Sequence, residues 1–200
     1  MIRIATLPLL LLLALPAQAE ELSFGSWRLS CSQDRMTDRA ECRLAHKDWA
    51  DPPSASRPGL ALEIMDRGGR ALPVITARDL GVEGASRGIL ALTGTAQLRF
   101  PPNPFFEMPC GLEGRTLVCV PRAEDAARAA AELVGADRVL VRVLGIGGSA
   151  EDPAEMRLSD TRAAIAALRA RMPEGTTAAP APAGMDFRDI LQRLQRFFAQ

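Results

Sequence analysis

The chain has 200 residues with 24 basic and 24 acidic side chains, so its formal net charge is zero. This balance argues against a nucleic-acid-binding protein, which needs a strongly basic face, and we expect no nucleic-acid partner. The length suits one domain with a substantial core once the N-terminal segment described next is set aside.

Residues 1–19 contain the three parts of a secretory signal peptide in the usual order. Arg3 supplies the positive charge, residues 4–16 form an apolar run, and Ala17-Gln18-Ala19 supplies the small residues that signal peptidase accepts. The alternative is a retained membrane anchor, but this run is shorter than the roughly 20 residues needed to span a bilayer. We therefore predict cleavage after Ala19, no transmembrane segment in the mature chain, and a periplasmic or secreted location.

The cysteines are even in number, which in an exported protein indicates disulfide bonds. Of the possible pairings we expect the two local ones, Cys31 with Cys42 and Cys110 with Cys119, because both separations are short. The alternative is a metal site, but the chain has one histidine and no C-x-x-C spacing. We therefore expect neither a metal nor a cofactor.

Alternation of apolar and polar residues predicts a series of strands; in residues 27–31 the odd-numbered positions share the apolar face. The predicted strands cover residues 22–31, 42–47, 60–65, 72–76, 88–94, 96–100, 117–120, 138–144 and 156–159. The Pro- and Ser-rich residues 50–58 predict a loop, and Gly68-Gly69 predicts a turn. Pro73 places its strand at an edge of the sheet or stands at the start of the strand.

Helical periodicity appears twice in the second half, over residues 123–134 and 160–172, with Ser159 or Asp160 as the N-cap of the second helix. The predicted buried positions are Ala126, Ala130, Leu133 and Val134 in the first helix, and Ile165, Leu168 and Met172 in the second. Together the elements predict a mainly β (α+β) fold, with an antiparallel β-sandwich-like domain over residues 20–173 and two packed helices.

The C-terminal end differs in composition from the predicted domain. Residues 174–184 form an Ala/Pro linker, and residues 185–200 form an isolated amphipathic helix. Its apolar stripe consists of Phe187, Ile190, Leu191, Leu194, Phe197 and Phe198. The stripe folds back on its own domain, docks in a groove of a partner, or associates with a second copy. The low net charge of this helix disfavours a membrane-surface role.

Two short motifs suggest enzymes, but their surroundings argue against both. Gly84-Ala85-Ser86-Arg87-Gly88 matches the G-x-S-x-G pattern of serine hydrolases, yet no helix follows it and the histidine, His46, precedes it. Gly145-Ile146-Gly147-Gly148 resembles a phosphate-binding loop, but Glu151-Asp152-Pro153 comes next, where a phosphate needs the N–H groups of a helix. We therefore assign no catalytic residue.

The remaining candidates are single residues without a motif around them. His46 lacks a histidine partner and is predicted to be a packed strand residue, and nothing in the spacing of Glu63 and Glu107 marks them as an acid–base pair. Phe105 and Phe106 follow three prolines and precede Cys110, so they are partner-binding candidates on a constrained loop. Burial against the sheet is the favoured expectation for both rings.

The mature N-terminus, Phe24-Gly25-Ser26-Trp27-Arg28-Leu29-Ser30-Cys31, resembles the F-G-x-W-x-x-x-C opening of the invasion-associated locus B family. The resemblance extends in order over residues 22–172, through Cys42-Arg43-Leu44, the second cysteine pair, the Ala-rich helix and Leu158-Ser159. In the second cysteine pair, the family has a tight Cys-to-Gly-Cys arrangement, whereas here eight residues separate Cys110 from Cys119 and Val118 precedes the latter. Before the final helix, the family has a glycine followed by an aromatic residue, whereas this chain has Asp160-Thr161. The resemblance implies an exported, disulfide-containing β-rich domain, linked in some pathogens to host-cell invasion, without catalytic residues.

These observations favour an exported, non-catalytic protein that binds a protein or a cell-envelope component. One alternative is a periplasmic hydrolase that uses Ser86 or unassigned carboxylates. A second alternative is a purely structural protein of the envelope.

Overall fold

The computed structural model describes residues 20–33, 35–36, 38, 40–55, 58–78, 94–144 and 152–172. Several predicted features lie outside these residues and stay predictions. They are the signal peptide, the motif at Gly84–Gly88, the strand over 88–93, the glycines at 145–148, the linker over 174–184 and the helix over 185–200.

The predicted mainly β fold with two helices is confirmed. The ten strands of the described residues form one open antiparallel sheet, in the order β1-β2-β3-β4-β5-β8-β7-β6-β9-β10. Along the chain they are β1 (Glu20–Phe24), β2 (Trp27–Gln33), β3 (Ala40–Asp51), β4 (Leu60–Arg67), β5 (Arg70–Ala77), β6 (Thr95–Arg99), β7 (Phe106–Glu113), β8 (Thr116–Cys119), β9 (Arg138–Leu144) and β10 (Ala154–Arg157).

The single strand predicted over residues 22–31 is wrong, because the chain reverses within it. β1 and β2 form a hairpin whose turn is Gly25-Ser26, and Phe24 pairs with Trp27 across it. Gly25 has φ +51°, a left-handed conformation that glycine adopts without a steric penalty. The alternation hides this turn because apolar residues flank it closely on both sides.

Pro73 lies inside β5, so the prediction of an edge strand or a strand start is wrong. Pro73 pairs with Ile64 of β4, whereas β8 pairs with β5 only from Ile75 to Ala77. Because β8 does not reach Pro73, the missing N–H breaks no hydrogen bond of the ladder on that side.

Strand β7 is not predicted by the alternation, since Pro109 and Gly111 interrupt it and both residue types disfavour strands. It forms between β6 and β8, with Phe106 opposite Leu98 and Cys110 opposite Cys119. Tertiary pairing on both sides thus overrides its weak local preference.

Both predicted helices are confirmed, as α1 (Ala123–Gly135) and α2 (Thr161–Arg171). Asp160 occupies the N-cap position of α2, but its side chain makes no capping hydrogen bond. The buried residues are Ala126, Ala129 and Leu133 in α1, and Thr161, Ala164, Ile165 and Leu168 in α2. Met172 is partly buried and packs against the main core.

The main core consists of side chains on the inner face of the sheet together with residues of both helices. Its largest fully buried side chains include Trp27, Phe100, Leu29, Leu44, Leu62, Ile75, Leu98, Met108, Leu117, Leu133 and Leu168. A smaller cluster on the other face of the sheet joins Leu72, Val74, Val118 and Val120 to Ala126 of α1. Helix α2 contacts β1, β2 and β3, so the last described element covers the first strands.

Both predicted disulfide bonds are confirmed, Cys31–Cys42 and Cys110–Cys119. Each joins residues that lie directly opposite each other on neighbouring strands. Cys110 and Cys119 are buried, whereas Cys31 and Cys42 are only partly buried.

Candidate functional site

The N-terminal hairpin and the start of α2 hold each other through what we call the clasp, formed by Gly25, Ser26, Trp27, Ser159 and Thr161. The indole N–H of Trp27 donates to Thr161 Oγ1 at 3.0 Å, and both side chains are buried. The backbone N–H of Ser159 donates to Ser26 Oγ at 3.0 Å. A Cβ on Gly25 would lie 2.6 Å from Ser159 O, so only glycine fits. The clasp therefore joins the N-terminal hairpin to the last described helix.

His46 packs against Trp27 of the clasp. Its position agrees with the prediction that it is a packed strand residue. It is buried, and its ring meets Trp27 edge-on with centroids 5.4 Å apart. Nε2 lies 2.8 Å from Arg157 O, and Nδ1 accepts from the backbone N–H of Asp48 at 3.0 Å. Nδ1 also lies 3.3 Å from Asp48 O. Both nitrogens are thus engaged by backbone groups, which leaves neither for general-base chemistry.

Of the residues in the hydrolase alternative, Glu63 and Glu107 pair with different arginines of the described chain. Ser86 lies outside the described residues, and Glu107 is half-exposed beside Arg122, at 3.7 Å. Within the described ranges no group of three or more His, Cys, Asp and Glu side chains is arranged to hold a metal ion.

The predicted aromatic pair is split between the core and the surface. Phe106 is 2% exposed and packs beside the buried Phe100, with ring centroids 6.2 Å apart, so the favoured expectation of burial against the sheet is confirmed for this residue. Phe105 is 54% exposed. Strand alternation explains the split, because Phe106 begins β7 on its inner face and Phe105 precedes it.

Two arginines fix the loop that carries Phe105. Arg99 Nε donates to Asn103 O at 2.8 Å, and Arg128 Nη1 donates to Pro104 O at 3.1 Å. The Arg128 guanidinium also lies over the Phe106 ring, 5.1 Å from its centroid. Backbone carbonyls on the N-terminal side of Phe105 and a buried ring on its C-terminal side therefore set its position.

Arg128 is itself held by two acids of α1. Its Nη2 donates to Asp125 Oδ1 at 2.9 Å, and Nη1 lies 3.5 Å from Glu132 Oε1. The hydrogen bond to Asp125 raises the pKa of Arg128, and the negative charges of Asp125 and Glu132 add to this despite partial burial. Helical spacing places these acids three residues before and four after the arginine. The loop is thereby anchored to a rigid element.

A second polar cluster, which we call the Glu63 cluster, lies on the face of the sheet that points away from the main core. Glu63 is 1% exposed and accepts hydrogen bonds from Arg43 (Nε, 2.9 Å), from Arg78 (Nη2, 2.8 Å) and from Thr76 Oγ1. Burial by itself would raise the pKa of Glu63, but the hydrogen bonds from Arg78 and Thr76 and the charges of Arg78 and Arg43 outweigh it. The pKa of Glu63 therefore lies below its ordinary value of 4.5.

Trp49 lies near this cluster and is 47% exposed. It pairs with Ala61 of β4, between two irregularities in the register. A Cβ on Gly59 would lie 2.7 Å from Trp49 Cε3, so the six-membered part of the indole rests directly on the Gly59 backbone.

The sequence analysis names Glu63 only as an unassigned carboxylate. It does not identify Arg43 and Arg78 as partners of Glu63, Arg128 as an anchor of the Phe105 loop, or Trp49 as an exposed aromatic residue. One usable signal exists, because Glu63 stands between Leu62 and Ile64 in an apolar strand and a buried carboxylate there requires cationic partners. The partners come from β3 and from the end of β5, and only the strand order identifies them.

No family model matches the chain, and no curated protein or solved structure was found to be similar to it. No described helix is both long enough and apolar enough to cross a membrane. The C-terminal stripe, which contains six of the predicted partner-binding residues, lies outside the described part of the chain.

Proposed function

We propose that this chain is an exported, non-catalytic binding protein of the periplasm or cell envelope that recognises a protein partner through Phe105. One observation carries the proposal: an exposed aromatic ring stands on a loop that Arg99, Arg128 and the buried Phe106 hold in place. The resemblance to the invasion-associated locus B family and the two disulfides support an exported location, and the engagement of His46 by backbone groups speaks against catalysis.

The affinity of such a surface depends on the cost of association as well as on its contacts. Aromatic side chains that enter a pocket of the partner dominate many interface energies. A loop that is already ordered loses little conformational freedom on association, so more of the burial energy of its side chain appears as affinity. Phe105 satisfies both conditions, and the expected partner surface is an apolar pocket.

The test compares Phe105→Ala with Leu112→Ala, which removes another exposed apolar side chain of the same region of sequence (37% exposed). Affinity capture with the purified mature protein from a periplasmic extract of the same cells should recover a partner with wild type and Leu112→Ala, and lose it with Phe105→Ala. Equal recovery by all three proteins would remove Phe105 from the proposal.

A variant of Arg128 tests whether the fixed position of the Phe105 loop contributes to binding. Arg128→Met keeps the length and the apolar stem of the side chain but removes the bond to Pro104 O. The variant also loses the pairs with Asp125 and Glu132, so its thermal unfolding midpoint should fall. Capture should weaken at a temperature where circular dichroism shows that the variant is folded. If Arg128→Met captures the partner as well as wild type does, the order of the loop does not contribute to binding.

The C-terminal helix is tested separately by deleting residues 185–200. If the apolar stripe binds the partner or a second copy, capture or self-association should be lost in the deletion. Unchanged capture and an unchanged oligomeric state would remove the stripe from the proposal. N-terminal sequencing of protein isolated from the periplasm tests the location, since the mature chain should begin at Glu20.

A further inference from the structure

Strand β1 lies at one edge of the sheet that the described residues form, and the register shows which of its backbone groups face outward. The N–H of Lys47 in β3 donates to Ser26 O at 2.8 Å, so every second residue of β2 after Ser26 directs its backbone groups toward β3. Leu29 stands between two such residues and therefore faces β1, where it pairs with Leu22. The backbone groups of Leu22 are thus used inside the sheet.

Glu21 and Ser23, on either side of Leu22, consequently direct their N–H and C=O groups to the outer edge of the sheet. Among the described residues, no other strand or loop pairs with these groups. Natural sheets often block such an edge with proline, lysine or a β-bulge, and β1 contains none of the three. The two donors and two acceptors of this edge are therefore available to another strand.

The opposite edge of the sheet, strand β10, is protected in two ways. Pro153 comes directly before it and lacks an N–H, and Arg157 O lies 2.8 Å from His46 Nε2 of β3. Leu158 N–H donates to Asp137 O at 2.7 Å in the register of β9 and β10, so Arg157, one residue earlier, faces away from β9. His46 thus engages an outward-facing carbonyl of β10, whereas no described residue does the same for β1.

The side chains of β1 suit a second copy of the same strand. Glu21 forms an ion pair with Arg28 of β2 at 2.9 Å, and the two side chains are 57% and 52% exposed. Ser23 lies on the same face and is also exposed. Leu22 and Phe24 lie on the other face, where they pack against the main core but are only partly buried. The edge therefore has an apolar face and a face with balanced, opposite charges.

We propose that two copies of this chain associate through antiparallel pairing of their β1 strands, with the two-fold axis at Leu22. This register places Glu21 of each copy opposite Ser23 of the other, so the outward-facing groups of both residues form hydrogen bonds in both copies. The two Leu22 side chains meet across the axis on the apolar face. Pairing centred on Glu21 would instead place two carboxylates side by side and would leave the groups of Ser23 without these bonds.

The same register continues the ion pairs across the interface. On the charged face, Ser23 of the second copy lies between Glu21 of the first copy and Arg28 of the second, because Ser23 pairs with Arg28 within each chain. The Cα atoms of this glutamate and this arginine are about 10 Å apart, two strand spacings, which their extended side chains can bridge over the short serine. Each Glu21 then stands between two arginines. This self-complementary pattern favours a second copy over an unrelated strand.

The first test blocks the edge without disturbing the hairpin. Sedimentation velocity of the full mature chain at increasing concentration should show monomers that convert to dimers. Ser23→Pro should weaken dimerisation at least about tenfold, because it removes one outward N–H from each copy and places a ring at the edge. It spares the hydrogen bonds to β2, since the Ser23 N–H points away from that strand. Ser23→Thr is the matched control, which keeps the N–H and should dimerise like wild type, and circular dichroism verifies that both variants are folded.

The second test exchanges charges and leaves the backbone unchanged. Glu21→Arg and Arg28→Glu each place four like charges around the two-fold axis, so each variant alone should be monomeric at concentrations where wild type is dimeric. An equimolar mixture of the two variants should form a heterodimer, because the arginines of one copy then face the glutamates of the other. Native mass spectrometry identifies the heterodimer by a mass between those of the two homodimers.

Three results would overturn the proposal. A wild-type chain that stays monomeric at its highest soluble concentration would show that β1 does not pair with its own copy. A dimer that Ser23→Pro leaves unchanged would form through another surface, such as residues 185–200. A mixture of the two charge variants that stays monomeric would exclude the register centred on Leu22. The interface shares no residue with the Phe105 loop, so this proposal and the proposed function succeed or fail independently.

Discussion

At the scale of single residues, Gly25 and Trp27 show what the N-terminal F-G-x-W pattern does in this fold. Gly25 turns the chain with a positive φ and lets Ser159 approach, and Trp27 fills the core while its indole N–H bonds Thr161. Both roles are structural. A sequence pattern can therefore mark a packing requirement, and the residues of this one form the clasp rather than a reactive site.

Replacing Gly25 by Ala should destabilise the protein more than the same change at another positive-φ glycine. Gly114→Ala is the control, since Gly114 has φ +60° and no atom lies within 4 Å of an added Cβ. The control carries only the backbone penalty, about 1 kcal/mol, whereas Gly25→Ala must also displace Ser159 and should cost about 2 kcal/mol or more. Urea denaturation of both variants measures the difference, and equal losses would show that the clasp yields to the extra methyl group.

Glu63 gives stability a defined pH dependence. Its pKa is lowered in the folded protein, so as the pH falls the unfolded chain takes up the proton first, near its ordinary value of 4.5. The stabilisation by this carboxylate is therefore complete above that pH and is lost as the pH falls through the folded-state pKa.

Glu63→Gln should accordingly lower the free energy of unfolding at pH 7, and the deficit relative to wild type should shrink as the pH is lowered from 6 to 3. Glu41→Gln is the control, because Glu41 is an exposed glutamate of β3. Denaturation curves at several pH values provide the measurement. A deficit that stays constant over this range would contradict the lowered pKa.

At the scale of elements, local sequence predicts the strands and helices whose formation does not depend on a distant strand or helix. Strand β9 and both helices follow from periodicity, and short separation is enough to pair the cysteines correctly. Strand β7 does not follow, because Pro109 and Gly111 break its pattern and its neighbours β6 and β8 impose the extended form. The irregular register of β3 beside Trp49 is likewise decided by packing on β4.

The two disulfides should differ in their reaction with a dithiol. Cys31–Cys42 is partly buried, and Cys110–Cys119 is buried between β7 and β8. Dithiothreitol under native conditions should reduce Cys31–Cys42 first, and alkylation followed by peptide mass mapping identifies the order. Simultaneous reduction would mean that access requires global unfolding.

Removing either disulfide should cost a similar amount of stability. The sequence separations are 11 and 9 residues, and the chain-entropy model gives about 2.5–3 kcal/mol for loops of this size. Paired Cys→Ala variants tested by denaturation check this estimate. A markedly larger loss for one pair would show that its contribution comes from packing rather than from loop closure.

At the scale of the whole molecule, the clasp makes the fold depend on both ends of the described domain. Helix α2 covers β1, β2 and β3, and His46 of β3 bonds the last residue of β10. The side chain of Trp27 is therefore fully enclosed only when α2 packs on the sheet. Contacts of such long sequence separation are expected to make folding cooperative and comparatively slow.

Ending the chain after Arg157 should abolish cooperative unfolding, whereas ending it after Met172 should preserve it. The first truncation removes Ser159 and Thr161 from the clasp and exposes Trp27. Emission of Trp27, measured in a Trp49→Phe background, should shift to longer wavelength only in the shorter chain. A blue emission and a sharp transition in the shorter chain would show that the sheet folds without α2.

The sequence by itself determined the β-rich alternation, the two helices and the pairing of the cysteines, because each depends on neighbours within about a dozen residues. Tertiary structure alone decided the turn at Gly25, the extended form of β7, the burial of Phe106 with exposure of Phe105, and the gathering of Arg43 and Arg78 on Glu63. The physical reason is the same in each case: the deciding contact comes from a strand or helix far away in sequence, and its position follows from the sheet order.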